Sequence, residues 1–284
     1  MLAGPSRIPH RSPRPFVSAD NRPSSSDGVL RVVIISTGSV ASVKIPEIVG
    51  ALSRDASIAV QVVATKASLH FYNQAEVDKA VRAACGADED TVGVQVWTDE
   101  DEWSDWRKIG DPILHIELRR WADLVVIAPC SADFLAKIAS GLSENLPLSL
   151  LRALPPSTPT IICPAMNTQM YIHPFTAKHL RVIQEELQYM VLGPQEAGTL
   201  ACGDDGPGKM TDWRDIVTTI QGFAGMFKAR VALAAGTSLD EADKQDTSKA
   251  IMPASQLPQT LKTYSSWGPY GGGSNGMMKH WLWL

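Results

Sequence analysis

A few short segments hold the residue types that can do chemistry. TGSVAS (37–42) offers Gly38, which lets backbone approach a ligand closely, and the hydroxyls of Ser39 and Ser42. It follows an apolar run and precedes a helical pattern, so unpaired N–H groups at the helix start point outward as a phosphate cradle. It lacks the Lys of a P-loop and the three glycines of a dinucleotide fingerprint, which suits a mononucleotide phosphate. Taken alone, a Gly-Ser turn is more often only a turn. APCSADFLAKIASG (128–141) repeats the arrangement, with Ser131 and Asp133 as helix-start residues. Ser131 reads as an N-cap, and Ser131 with the backbone at Ala132 can also face a ligand.

Three further side chains could handle protons or carboxylates. Asn167 in CPAMNTQMY (163–171) is either a turn former or an amide presented to a carboxylate or amide substrate. Cys202 lies in the glycine-rich stretch GTLACGDDGPGKM (198–210), which reads as a lid and has no other group able to transfer a proton near neutral pH. Cys130 and Cys163 sit in apolar runs and read as inert core thiols. His115 falls in the first turn of a helical pattern, DPILHIELRRWAD (111–123). A lone His is more often structural, but this one precedes the strand that carries the second ligand loop. An imidazole is also the natural side chain to exchange a proton near neutral pH.

The elements that must position these residues are legible as apolar runs. RVVIIS (31–36), IAVQVVAT (58–65), VGVQVWT (92–98), DLVVIAP (123–129) and TPTIICP (158–164) read as strands covered on both faces. Pro129 and Pro164 are expected to stop two of them. Helices are predicted near 42–53, 66–82, 113–122, 131–153, 174–188 and 212–226. Such alternation predicts an α/β fold with a doubly wound parallel sheet, whose ligands bind at the carboxyl ends of the strands.

Composition bounds the function. The 284 residues carry a net charge of −4 with 44% hydrophobic content, an ordinary globular balance. Residues 29–227 hold 16 bases against 24 acids, so an acidic body argues against nucleic-acid binding. No apolar stretch approaches the ~18 residues of a membrane span. Four scattered Cys with no CxxC pair argue against a disulfide framework or a zinc site and for a reducing, cytoplasmic compartment. Residues 1–28, with five Pro and six Ser, read as a disordered arm, and 228–284 as a low-complexity flexible tail. The expected single domain is 29–227.

In combination, TGSVAS, DPILHIELRRWADLVVIAP, AKIASGLSENL, PAMNTQM and LACGDDGPGKM resemble the phosphopantothenoylcysteine decarboxylases, flavin-dependent cysteine decarboxylases that include the plant and fungal halotolerance proteins. The resemblance spans about 30–225 and implies a flavodoxin-like, Rossmann-type sheet, bound FMN and a homotrimer with active sites between subunits. It implies decarboxylation of 4′-phospho-N-pantothenoylcysteine to 4′-phosphopantetheine in coenzyme A biosynthesis. By position, Gly38, Ser39, Val40 and Ala41 would hold the FMN phosphate end, continued by Thr65, Lys66 and Ala67. Ser131, Ala132, Asp133 and Phe134 would close the site, with Ala165 against the flavin. His115 would be the base-like residue, Asn167 the orienter of the substrate carboxylate and Cys202 the proton donor. Thr199 and Ala201 would contact substrate.

Asp133 and Phe134 stand where the family usually has Asn-Thr, which puts a negative charge near the flavin site. The resemblance also raises a second role, inhibition of a Ser/Thr protein phosphatase by a halotolerance-type regulatory subunit. A hetero-oligomer with a paralogue is a further implied possibility. The complete His115, Asn167 and Cys202 set and the absence of an acidic tail favour the enzyme.

Overall fold

The computed structural model describes residues 27–86, 94–195, 203 and 205–234. Strand β1 (Leu30–Ser36) is buried at every position. Its one charged residue, Arg31, is pinned by ion pairs to Asp27 and Asp123 at the amino end of the sheet. β1 pairs in parallel with β2 (Ile58–Ala64) and with β4 (Leu124–Cys130). β3 (Val96–Trp97) lies outside β2, and β5 (Thr160–Pro164) and β6 (Met190–Val191) extend the sheet beyond β4. The resulting order is β3-β2-β1-β4-β5-β6, all parallel. The flavodoxin-like, doubly wound fold is therefore the one found, with the Rossmann-type strand order. The strand order reverses between β1 and β4, so the crevice above their carboxyl ends is the topological switch point.

Helices cover both faces. On one face α1 (Ile45–Leu52) packs against α2 (Gln74–Cys85) and α8 (Trp213–Ala234). On the other, α3 (Leu114–Trp121), α4 (Ala132–Ala139) and α5 (Leu146–Ala153) share a core with Val33, Ile35, Val63, Val125, Ile127 and Ile162. Strand alternation sends Val32 and Ile34 to the opposite face. Each such fully buried aliphatic side chain contributes roughly 1.5–3 kcal/mol. Between β5 and β6 run α6 (Thr168–Ile172) and α7 (Pro174–Arg181).

Local chemistry moves several boundaries. The helix expected over 66–82 is a tight 3-10 turn at Ser68–His70 followed by α2, because Asn73 and Glu76 form a reciprocal capping box that restarts the helix. The helix expected over 131–153 is two: Gly141, at φ +70°, follows the end of α4, and the Asn145 side chain caps α5 by accepting the Leu148 N–H. Pro129 does not stop β4, which continues to Cys130 through a register irregularity. In the expected 92–98 strand only Val96–Trp97 is extended among the described residues. The helix expected over 174–188 ends as α7 at Arg181 and continues as a wider turn over Val182–Glu186. β6 was not expected. The last helix runs to Ala234, so the expected edge of the domain at 227 falls inside α8. No helix among the described residues is long and apolar enough to cross a membrane.

Candidate active site

Three strand ends at the switch point are stitched into one cradle. Thr37, immediately after β1, donates its hydroxyl to the Pro129 carbonyl at 2.7 Å and accepts the Ser131 N–H at 2.8 Å. One buried side chain thus joins the loop after β1 to the loop after β4. The loop after β2 is joined by close approach: a Cβ on Gly38 would lie 2.8 Å from the Ala67 Cβ. Only glycine permits that contact without displacing a loop. Beneath it, the Ser36 hydroxyl bonds Ser68 Oγ at 2.9 Å and Tyr72 Oη at 2.5 Å. Burial pushes the Tyr72 hydroxyl up to about 12. The fourth strand end, after β5, is tied in by the Ala165 N–H donating to the Cys130 carbonyl at 2.9 Å.

Above this frame the chain from Val40 to Lys44 makes a 3-10 turn that leads into α1. The N–H groups that open a helical turn have no acceptor within it, which leaves Val40 and Ala41 as donors toward the crevice. Gly38 and Val40 are exposed, as are Lys66 and Ala67 across from them, and Ser39 and Ala41 are half-buried. Thr65 is buried and structural, with its hydroxyl beside the Ser68 N–H. Ser131 caps α4 by accepting the Phe134 N–H at 3.3 Å. Asp133 faces outward and Ala132 is half-buried against the core, while the Phe134 ring is buried with Leu135 and Ile138. The resemblance places Phe134 at the flavin site; its ring anchors α4 to the sheet, and its backbone N–H stays in the loop at Ser131. The charge of Asp133 is offset locally. Lys137 sits 3.1 Å from it and 2.6 Å from Glu144, and the carboxylate hydrogen bonds hold the Lys137 ammonium above its ordinary range.

His115 occupies the first turn of α3, at the carboxyl edge of the sheet, flanked by the buried Leu114 and Leu118. Its Nδ1 lies 2.5 Å from Oε1 of Glu102. Glu102 follows a 3-10 turn (Asp99–Asp101) that Thr98 and Asp101 cap reciprocally. The Asp99 carboxylate also accepts the Leu146 N–H at 2.8 Å, fastening this turn to the start of α5. The second carboxylate oxygen of Glu102 is buried and has no hydrogen-bond partner among the described residues.

Asn167 caps α6, its side-chain oxygen accepting the Gln169 N–H at 2.8 Å. The glycine-rich segment returns to the scaffold beside it. The Met166 N–H donates to the Gly208 carbonyl at 3.0 Å, and a Cβ on Gly208, at φ +125°, would meet the Met166 carbonyl at 2.4 Å. Ala165, expected against the flavin, is buried next to this junction. Cys202, Thr199 and Ala201 lie outside the described residues. Cys130 and Cys163 are fully buried, and burial pushes both thiols up, as inert core residues require.

The cradle residues are therefore joined by direct contacts, while His115 and Asn167 stand at the same end of the sheet on separate mounts. Sequence reasoning missed Thr37, whose signal was a hydroxyl at a strand end, and Glu102, which carried no signal apart from its neighbours in an acidic run. A phosphate-bearing flavin fits the arrangement: an exposed glycine in close approach to Ala67, the start of a helical turn and a cation, Lys66, meet at the carboxyl ends of β1 and β2.

The Flavoprotein family model matches residues 20–225. A probable phosphopantothenoylcysteine decarboxylase of Arabidopsis thaliana is 44% identical over 193 residues, which cover 68% of this chain and 88% of the relative. The crystal structure of HAL3 from Cryptococcus neoformans is similar with 62% identity and a TM-score of 0.64, over 71% of this chain and 100% of that one. A cysteine-to-serine mutant of PPC decarboxylase complexed with pantothenoylaminoethenethiol is 41% identical with a TM-score of 0.61, over 69% of this chain and 98% of that one. With the sheet, the cradle and the matched motifs in place, the chain belongs to the Flavoprotein family, among its phosphopantothenoylcysteine decarboxylase and HAL3 members.

Proposed function

We propose that this protein is an FMN-dependent phosphopantothenoylcysteine decarboxylase that forms 4′-phosphopantetheine in coenzyme A biosynthesis. The observation that carries the reading is the Gly38–Ala67 approach at the switch point, a backbone cradle for a nucleotide phosphate, with an imidazole on the adjoining edge of the sheet. Val40 and Ala41 N–H groups, the Ser39 hydroxyl and Lys66 would hold the phosphate, and Ala132 and Ala165 would line the ring. When bound, FMN supplies a transient two-electron sink, so that carbon dioxide leaves without an unstabilised carbanion. His115 takes the proton of the substrate thiol on Nε2, the nitrogen that does not face Glu102. Asn167 turns the substrate carboxylate by donating from its amide nitrogen. Cys202 returns a proton late in the cycle, a task suited to a thiol whose reference pKa is ~8.5.

We take residues 29–234 as the functional domain, with the flanking segments outside it. A homotrimer, or a hetero-oligomer with a paralogue, fits the exposed apolar side chains Met170, Ile172 and Phe175 on α6 and α7. The cytoplasm fits the scattered, unpaired cysteines. The halotolerance-type role, inhibition of a Ser/Thr protein phosphatase, is a second reading favoured by the 62% identity to a protein named HAL3. Incubation of the flavin-loaded protein with phosphopantothenoylcysteine and mass detection of phosphopantetheine tests the first reading. Absence of product from protein with full flavin content would refute it.

A further inference from the structure

Glu102 and its neighbour Asp101 are both buried carboxylates, and they are used differently. One oxygen of Asp101 accepts from both the backbone N–H and the hydroxyl of Thr98, which is the work of a helix cap. Glu102, 9% exposed at its side chain, gives one oxygen to the imidazole of His115 and leaves the other without a partner among the described residues.

We propose that Glu102 is the positioning residue of His115, fixing which imidazole nitrogen meets the substrate. A carboxylate can only accept, so Oε1 holds the proton on Nδ1. The lone pair is thereby placed on Nε2, the nitrogen directed away from Glu102. The mount is stiff at both ends. The Thr98–Asp101 cap and the Asp99–Leu146 hydrogen bond fix the backbone under Glu102, and the buried Leu114 and Leu118 fix the first turn of α3 under His115. The arrangement follows the general logic of an acid that orients a histidine without exchanging its own proton. The inference rests on the reading of His115 as the proton-accepting group.

The test compares Glu102→Met, which removes the acceptor at similar volume, with Glu102→Gln, whose amide oxygen can accept the same bond. The holoprotein labelled with 15N-histidine reports the tautomer of His115 through long-range 1H–15N couplings, assigned with the His115→Asn variant. Wild type and Glu102→Gln are expected to show protonated Nδ1 and unprotonated Nε2, and Glu102→Met is expected to lose that signature. Turnover of phosphopantothenoylcysteine should fall about a hundredfold in kcat for Glu102→Met, with KM and FMN content unchanged, and in Glu102→Gln the loss should follow the share of His115 whose Nδ1 has lost its proton. An unchanged tautomer in Glu102→Met, or equal losses in both variants together with loss of FMN, would overturn the proposal. The tautomer measurement needs no substrate. Failure of the wild type to turn over the substrate would therefore refute the proposed function while leaving the role of Glu102 to be decided by the spectrum.

Discussion

The cradle and the imidazole mount are built on opposite principles. At the cradle the side-chain hydroxyls are taken up by protein partners: Thr37 bridges Pro129 and Ser131, Ser36 binds Ser68 and Tyr72, and Ser42 donates to the Thr37 carbonyl. What the cradle has left to offer, beside the Ser39 hydroxyl and Lys66, is backbone. At the mount a buried carboxylate oxygen has no partner among the described residues, and the other oxygen meets a titratable side chain. The difference separates holding from reacting. The first arrangement suits a group to be held and the second a group to be met by a proton, which is how the proposed function divides them.

Four measurements can break or sharpen that contrast. The largest effect is expected from His115→Asn, which should lower turnover of phosphopantothenoylcysteine by at least about 10²–10⁴-fold. Its FMN content should stay within twofold of wild type; a colourless His115→Asn protein would merge the two regions into one. Next is the alkaline stability of the cradle. The Tyr72 hydroxyl is pushed up to about 12 by burial, above its ordinary value of 10.0, so the unfolded chain loses that proton first as pH rises. Stability is therefore complete below pH ~10 and falls by roughly 3 kcal/mol as pH approaches ~12. Denaturant titrations at several alkaline pH values should show that this loss is absent in Tyr72→Phe.

Gly38→Ala should weaken FMN retention by about 1–3 kcal/mol, because the new Cβ must displace the Ala67 Cβ. Adding Ala67→Gly should restore binding, and a double variant no better than Gly38→Ala would show that the crowding is not between these two residues. The smallest expected effect is that of Thr37→Val, which keeps shape but loses both bridging hydrogen bonds. Global stability should drop by about 1–2 kcal/mol in thermal or denaturant unfolding, while kcat of the FMN-saturated protein stays within threefold. A large fall in kcat would give the cradle a part in the chemistry.

The sequence made the sheet legible because Val/Ile runs such as RVVIIS allow little but a strand buried on both faces. The cradle was legible for a similar reason: Gly38, Ser39 and Ser131 lie at strand-to-helix junctions that the alternation itself locates. Phe134 carries two signals at once, a place at the ligand loop and a spacing with Leu135 and Ile138 that marks the buried stripe of a helix. The signals that divide α4 from α5, Gly141 and the Asn145 cap, were present and were overridden by the apolar pattern on either side. β6 has two residues, too few for a period to show. Glu102 was illegible for a different reason. It is the last of four consecutive acids, 99–102, and such a run reads as a solvated face. Only the return of the chain through α3 brings an imidazole against it.

The junction of Gly208 with Met166 sets a leash on the remaining acid. Six peptide steps separate Cys202 from a point fixed to the backbone one residue before Asn167. Fully stretched, that length of chain reaches about 21 Å. Covalent length alone thus bounds how far the thiol proposed as proton donor can lie from the amide proposed to turn the carboxylate.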